Sequence, residues 1–164
     1  MKTKIFCTIF LVLFVTSCKN SVTKPISQIK SDTTLVLDLA LRTAFYHENL
    51  PAITPLKKHY HYGDSMLFSS DTLSLSALPK SSDTINFKIL SQKEIMSLVQ
   101  TESDLTKLPN YLNIGAFEKS DTGYYVRVES LTTSNFGGGG AIGIYIKKEK
   151  DSFVVVKKMS SSIN

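Results

Sequence analysis

The sequence predicts an α+β protein, with two short helices packed on an antiparallel sheet that ends in a four-strand meander. Two stretches have the apolar spacing of an amphipathic helix, and one of them opens with a helix-capping pattern. The last third of the chain alternates apolar and polar residues between short turn sequences, which is typical of strands. Such short turns predict antiparallel pairing, because parallel neighbours need a crossover of about a dozen residues.

The N-terminal stretch differs in character from the rest of the chain. Lys2 and Lys4 precede an apolar run from Ile5 to Val15. This run is too short for a membrane span, which needs about 20 residues, but it fits the roughly 7–15 residues of a signal-peptide core. We therefore expect residues 1–17 to be a signal peptide.

The four residues Val15-Thr16-Ser17-Cys18 follow the apolar run. They resemble the lipobox of bacterial lipoproteins, and the polar flank behind them is similar to that of small lipoproteins of Bacteroidota. In that family a diacylglyceryl group is attached to the cysteine sulfur, the chain is cleaved before the cysteine, and the new amino group is acylated. The resemblance implies that Cys18 is the first mature residue, the lipidation site and the anchor to a membrane.

The resemblance also implies a location. Lys19 follows the cysteine, whereas an aspartate there signals inner-membrane retention in the familiar sorting rule, so we expect the outer membrane. The first acidic residue is Asp32, whereas surface-export signals carry acidic residues just after the cysteine. The periplasm-facing leaflet is therefore the expected place, with the cell surface as an alternative.

Charge and cysteine content narrow the classes of partner and chemistry. Without Lys2 and Lys4 the chain keeps 17 basic and 14 acidic residues, a net charge of +3 that does not call for a nucleic-acid partner. Cys7 would leave with the signal and Cys18 would carry lipid. The mature body would then have no free thiol for a disulfide, a nucleophile or a metal site.

The residues behind the anchor divide into a tether and one domain. Residues 18–32 are polar and without periodicity, so we expect a flexible tether that spans on the order of 20 Å. Residues 33–164 suit a single domain.

The first predicted helix follows a capping sequence at Asp32-Thr33-Thr34. Leu37, Leu41, Ala44 and Phe45 then share one face of a helix. We expect that face to pack on the sheet.

The second predicted helix has the clearest local signal. Ser91 and Glu94 form a capping box, in which each side chain hydrogen-bonds to the backbone amide of the other residue. Leu90 and Ile95 stand at the positions of a hydrophobic staple. A short helix beginning after Ser91 is therefore predicted.

The predicted strands are those in which apolar residues recur at every second position. One of them covers 84–90, and four follow between Tyr111 and Lys157. In these last strands Tyr124, Val126 and Val128 share one face, as do Ile142, Ile144 and Ile146.

Two histidines are the only weak candidates for a metal site. His59 and His61 lie two residues apart, so on a strand both rings project from one face, and His47 or Asp64 could add a third ligand. The alternative is a polar strand face, which we favour. No metal or other cofactor is expected.

Ser65 and a glycine run are two further candidates for catalytic or binding elements. Gly63-Asp64-Ser65 resembles the nucleophile block of GDSL esterases, but those enzymes need a later histidine and this chain has none after His61. Gly137–Gly140 lacks the lysine of a phosphate-binding loop and leads into a strand. A hairpin loop is the expected structure there.

The sequence is compatible with three functions. We expect a non-enzymatic envelope lipoprotein that works through a protein partner. The alternative is a small-ligand binder of cystatin-like or NTF2-like layout, with a pocket between helix and sheet near Phe45, Tyr124 and Ile144. A hydrolase or a metal-binding protein is the minor alternative.

Overall fold

The computed structural model describes residues 31–46, 61–101, 110–133 and 139–163. They form two helices, eight strands and a short 3-10 helix at Leu75–Ala77. In chain order the helices and strands are α1 (Asp32–Phe45), β1 (His61–Tyr62), β2 (Ser65–Ser70), β3 (Ser81–Ser82), β4 (Ile85–Ile89), α2 (Gln92–Thr101), β5 (Tyr111–Ser120), β6 (Gly123–Leu131), β7 (Gly139–Glu149) and β8 (Ser152–Ile163).

The α+β class is confirmed, but the sheet is not the antiparallel four-strand meander that was predicted. It is a curled mixed sheet with the strand order β3-β4-β2-β5-β6-β7-β8, and β1 pairs with β2 outside this order. Strand β2 runs parallel to both of its neighbours in that order, β4 and β5. The strands from β5 to β8 are consecutive antiparallel neighbours and make up one half of this larger sheet.

The parallel pairs arise from two long connections. The one between β2 and β4 contains the 3-10 helix and β3, and the one between β4 and β5 contains α2. After β4 the chain crosses the sheet through α2 and returns as β5 on the other side of β2. A crossover of this length can return the chain in the same direction, which a tight turn cannot do. The sequence prediction relied on the short turns between the last strands, and these turns give no information about how β2 and β4 pair.

Helix α1 lies on the inner face of the curled sheet and forms the main core with it. Its N-cap is Ser31, whose side chain accepts a hydrogen bond from the Thr34 amide at 3.3 Å. The predicted apolar face is confirmed, since Leu37, Leu41, Ala44 and Phe45 are all buried; Val36 and Ala40 are buried with them. They pack against buried residues of the sheet, among them Phe68, Ile114, Val126, Val128, Ile142 and Ile144.

Helix α2 packs on the opposite, outer face, so the two helices do not share one side of the sheet. Ile95 of α2 forms a second buried cluster with Leu67 and Tyr111. Neighbouring residues of a strand point to opposite faces, and Phe68, next to Leu67, belongs to the main core. The two cores therefore lie on the two faces of β2.

The capping box of α2 forms as predicted. The Glu94 amide donates to Ser91 Oγ at 3.2 Å, and the Ser91 amide donates to Glu94 Oε2 at 2.8 Å. The Ser91 hydroxyl, which donates to Glu94 Oε2 at 2.7 Å, and the Ser91 amide both stabilise the charged form and lower the pKa of Glu94. Leu90 packs against the cluster that contains Ile95, as expected of a staple.

The β3–β4 hairpin is fastened to α1 by two side-chain hydrogen bonds. Ser82 Oγ donates to Asp38 Oδ1 at 2.7 Å, and the Tyr46 hydroxyl donates to Asp83 Oδ2 at 2.6 Å. The second bond raises the pKa of Tyr46, because the hydrogen bond to Asp83 stabilises the protonated hydroxyl and the charge of Asp83 opposes a phenolate. This hairpin therefore closes one end of the inner face.

Candidate functional site

The outer face of β6, β7 and β8 carries apolar and aromatic side chains that reach solvent. Tyr145 is 38% exposed, Val156 58% and Met159 52%. Tyr125 on β6 stands directly across from Tyr145 on β7, and their ring centroids are 4.8 Å apart. We call Tyr125, Tyr145, Val156 and Met159 the outer-face patch.

A glycine on β7, Gly143, makes room for the tyrosine pair. A Cβ atom at Gly143 would lie 2.8 Å from the Tyr125 hydroxyl oxygen and 2.9 Å from its ring carbon Cε2. The glycine thus lets the Tyr125 ring lie flat across β7. Next to the pair is an open groove of about 410 Å³, whose lining includes Tyr125, Tyr145 and Val156.

Strand β8, which contributes Val156 and Met159 to the outer-face patch, is the last strand of the sheet order. It pairs with β7 on one side, and the described residues place no strand on its other side. Every residue from Val156 to Ser162 is exposed, although β7 next to it buries Ile142 and Ile144 completely. This part of β8 therefore extends past the core, with both faces and one backbone edge toward solvent.

A second feature of the outer face is a network of polar side chains that we call the polar junction. Asn113 on β5 is fully buried, and its Nδ2 donates to Asp71 Oδ2 at 2.7 Å and to Glu129 Oε2 at 2.9 Å. Arg127 Nε donates to Glu129 Oε1 at 2.7 Å, and Gln92 Nε2 of α2 donates to Asp71 Oδ1. The junction connects β5, β6, α2 and the segment after β2.

The surroundings of the polar junction are tightly packed. A Cβ atom at Gly115 would lie 2.5 Å from the Glu129 carboxyl carbon, so the glycine, at a β-bulge in β5, leaves space for that carboxylate. Burial raises the pKa of Tyr111, and the carboxylates of Asp71 and Glu129 add to this. In the described part of the chain, Asn113 Oδ1 and Ser69 Oγ are buried without a hydrogen-bond partner.

The chemistry of the polar junction favours a structural role. Both carboxylates accept from one amide, and the Arg127 guanidinium offsets the charge of Glu129. Hydrogen bonds to charged groups are worth about 1.5–3 kcal/mol each, so the network holds β5 and β6 against α2. The outer-face patch, by contrast, has solvent-facing groups that can contact another molecule, and we take it as the candidate functional site.

The structure buries all three sequence-predicted pocket residues in the main core, where Phe45 and Tyr124 contact different aromatic rings. Phe45, Tyr124 and Ile144 are all buried there. The Phe45 ring faces Phe87 with centroids 6.4 Å apart, and Tyr124 meets Phe117 and Phe153 with centroids 5.8 Å apart in each case. The ligand pocket that was placed at these residues stays a prediction.

The other predicted site residues are placed only in part. Cys18, His59 and Gly137 lie outside the described residues, and His61 falls on the two-residue strand β1. Ser65 begins β2 and is half-buried. Within the described ranges no group of three histidine, cysteine or acidic residues is arranged to hold a metal ion.

No protein-family model, curated protein or solved structure matches this chain. Of the two described helices, neither combines the length and the apolar character that crossing a membrane requires. Any functional conclusion therefore depends on the residues themselves.

Sequence reasoning did not find the outer-face patch or the polar junction. The patch consists of residues from three strands, and only their cross-strand register brings them together. Asn113 gave a usable signal, because a lone amide between Leu112 and Ile114 interrupts an apolar run. A buried polar side chain in such a run needs partners, which here come from segments far away in the sequence.

Proposed function

We propose that the protein is a lipid-anchored lipoprotein of the bacterial envelope that works by binding another envelope protein rather than by catalysis. The lipobox-like residues before and at Cys18 support the anchor. The first described helix begins at Asp32, which leaves a polar segment between the anchor and the domain. That spacing suits a body held off the lipid surface and able to reach a partner.

The observation that carries the binding role is the outer-face patch. Tyrosine and methionine are enriched at protein interfaces, and adjoining exposed apolar side chains mark interaction sites. The tyrosine pair is held in place by the tilted contact between its rings and by the space over Gly143, so little side-chain freedom is lost on binding. The patch is accordingly the surface at which the partner docks.

Small-ligand binding is the second candidate function. The groove beside Tyr125 and Tyr145, at about 410 Å³, falls in the usual size range of ligand pockets. A helix held in a curled sheet is also the layout of cystatin-like and NTF2-like domains, which fits the alternative drawn from the sequence. The open shape of the groove favours a protein surface over an enclosed ligand.

A photo-crosslinking experiment in intact cells tests the binding role. A photoreactive amino acid at Val156, in the patch, should give one discrete higher-mass product on irradiation. The control position is Met96 on α2, which is exposed to a similar extent, 50% against 58%, but belongs to a different surface. Equal products from both positions, or none from Val156, would contradict a partner at the patch.

A further inference from the structure

The free edge of β8 has no bulge from Lys157 onward, the stretch in which the strand is exposed. The register with β7 shifts between Tyr145 and Ile146, so that Val156 is the extra residue of a bulge. From Lys157 to Ile163 each residue then has one partner on β7, without interruption. A continuous edge of this kind offers every second backbone N–H and C=O group for pairing with another strand.

Two lysines determine which strand can pair with this edge. Lys157 and Lys158 are exposed neighbours in β8, so their side chains leave opposite faces of the sheet. Lys157 Nζ lies 5.7 Å from the Tyr145 ring centroid, and the described residues offer no carboxylate to either ammonium group. Each lysine is thus available to a carboxylate on an added strand.

The same two lysines disfavour a second copy of the chain as the occupant. In an antiparallel pair of β8 strands centred on either lysine, that lysine of one copy would stand across from the same lysine of the other. Like charges directly opposite each other on neighbouring strands are destabilising. Opposite charges in those two positions are stabilising, so the edge discriminates by charge.

The side chains on the outer face of β8 add a second preference to the one that the two lysines impose. Met159 and Lys157 lie on the outer face, across from Gly143 and Tyr145 of β7. An added strand would place its own outer-face side chains next to Met159 and Lys157. One apolar and one acidic side chain, two positions apart, match these neighbours.

We infer that β8 binds an extended acidic segment of the partner protein by strand addition, with consecutive acidic residues paired to Lys157 and Lys158. The inference rests on the proposed binding role and specifies how the partner is held. Backbone hydrogen bonds along Lys157–Ile163 provide affinity, and the two ion pairs select the acidic segment.

A pair of labelled peptides tests this with the full chain. The probe Thr-Thr-Val-Thr-Val-Glu-Glu carries two adjacent acids, and its control Thr-Thr-Val-Thr-Val-Lys-Lys has the same apolar residues. We expect the acidic peptide to bind about tenfold more tightly in fluorescence anisotropy, with the difference shrinking at high salt. Equal affinities, or tighter binding of the Lys-Lys peptide, would overturn the inference.

Two charge-reversal variants locate the site. The double variant Lys157→Glu/Lys158→Glu should reverse the peptide preference. Lys80→Glu/Lys93→Glu makes the same charge change at exposed lysines on other elements and should leave the preference intact. Loss of preference in both variants would show a general charge effect and overturn the assignment to β8.

Peptide N-methylation tests the backbone pairing and does not depend on how any variant folds. The acidic peptide is methylated on one alternate set of amides or on the other, and only one set should abolish binding. Tolerance of both sets would exclude strand addition. In that case a crosslink at Val156 would still support the proposed function, so the two proposals fail separately.

Discussion

Replacing Leu41 by alanine is expected to lower the free energy of unfolding by about 2–5 kcal/mol. Leu41 lies fully buried on the face of α1 that packs into the curled sheet. The substitution removes apolar atoms from the main core and leaves a cavity that the sheet can fill only in part. Urea unfolding followed by circular dichroism measures the loss.

Leu35 of the same helix is the matched control. It is 39% exposed, so Leu35→Ala makes the same chemical change where less packing is lost. The loss of unfolding free energy in Leu35→Ala should stay below about 1 kcal/mol, since only part of the Leu35 side chain is removed from water in the folded state. Similar losses in the two variants would show that α1 does not pack as described.

Asn113→Asp is expected to destabilise the protein by about 3–5 kcal/mol at pH 7, because it buries a charge without a counterion of its own. The change keeps the size of the side chain but places a third carboxylate between Asp71 and Glu129. It also removes the amide that donates to both of them. Thermal or urea unfolding at pH 7 measures the effect.

The pH dependence of that variant has a definite sign. Burial and two nearby carboxylates would raise the pKa of the carboxyl introduced at this position above its unfolded value of about 3.9. The folded state then binds more protons than the unfolded state. The loss of unfolding free energy caused by Asn113→Asp therefore grows as pH rises above about 4 and shrinks on acidification. Asn86→Asp, the same change at an exposed position of β4, should cost under about 0.5 kcal/mol. If the two substitutions lowered the unfolding free energy equally, or if the loss in Asn113→Asp did not shrink in acid, the polar junction as described would be wrong.

Local sequence rules were sufficient to locate the helices, although the N-cap of α1 is Ser31 and not a residue of the predicted cap Asp32-Thr33-Thr34. The capping box at Ser91 and Glu94 involves residues three apart, so its hydrogen bonds follow from local geometry alone. The buried face of α1 was predicted in the same way, from the helical spacing of its apolar residues. The alternation in β6, with Tyr124, Val126 and Val128 buried, reflects the period of a strand.

The arrangement of the sheet depended on contacts that no local pattern encodes. Antiparallel pairing followed from short turns, but β2 meets β4 and β5 only through longer connections. The stretch between Ile89 and Tyr111, which holds α2, is long enough for a parallel crossover and was the available clue. The polar junction depends on this pairing, whereas the outer-face patch depends on the register between β6, β7 and β8, and so neither was predicted.

The mass of the mature N-terminus tests the central claim, a lipid anchor at Cys18, most directly. Protein purified from native membranes should begin at Cys18 and carry two or three acyl chains on that residue. The Cys18→Ala variant should lose the lipid and leave the membrane fraction, while Cys7→Ala should keep both, because Cys7 lies within the expected signal peptide. A native protein that begins at Met1 with an unmodified Cys18 would contradict the anchor, the tether and the envelope location together.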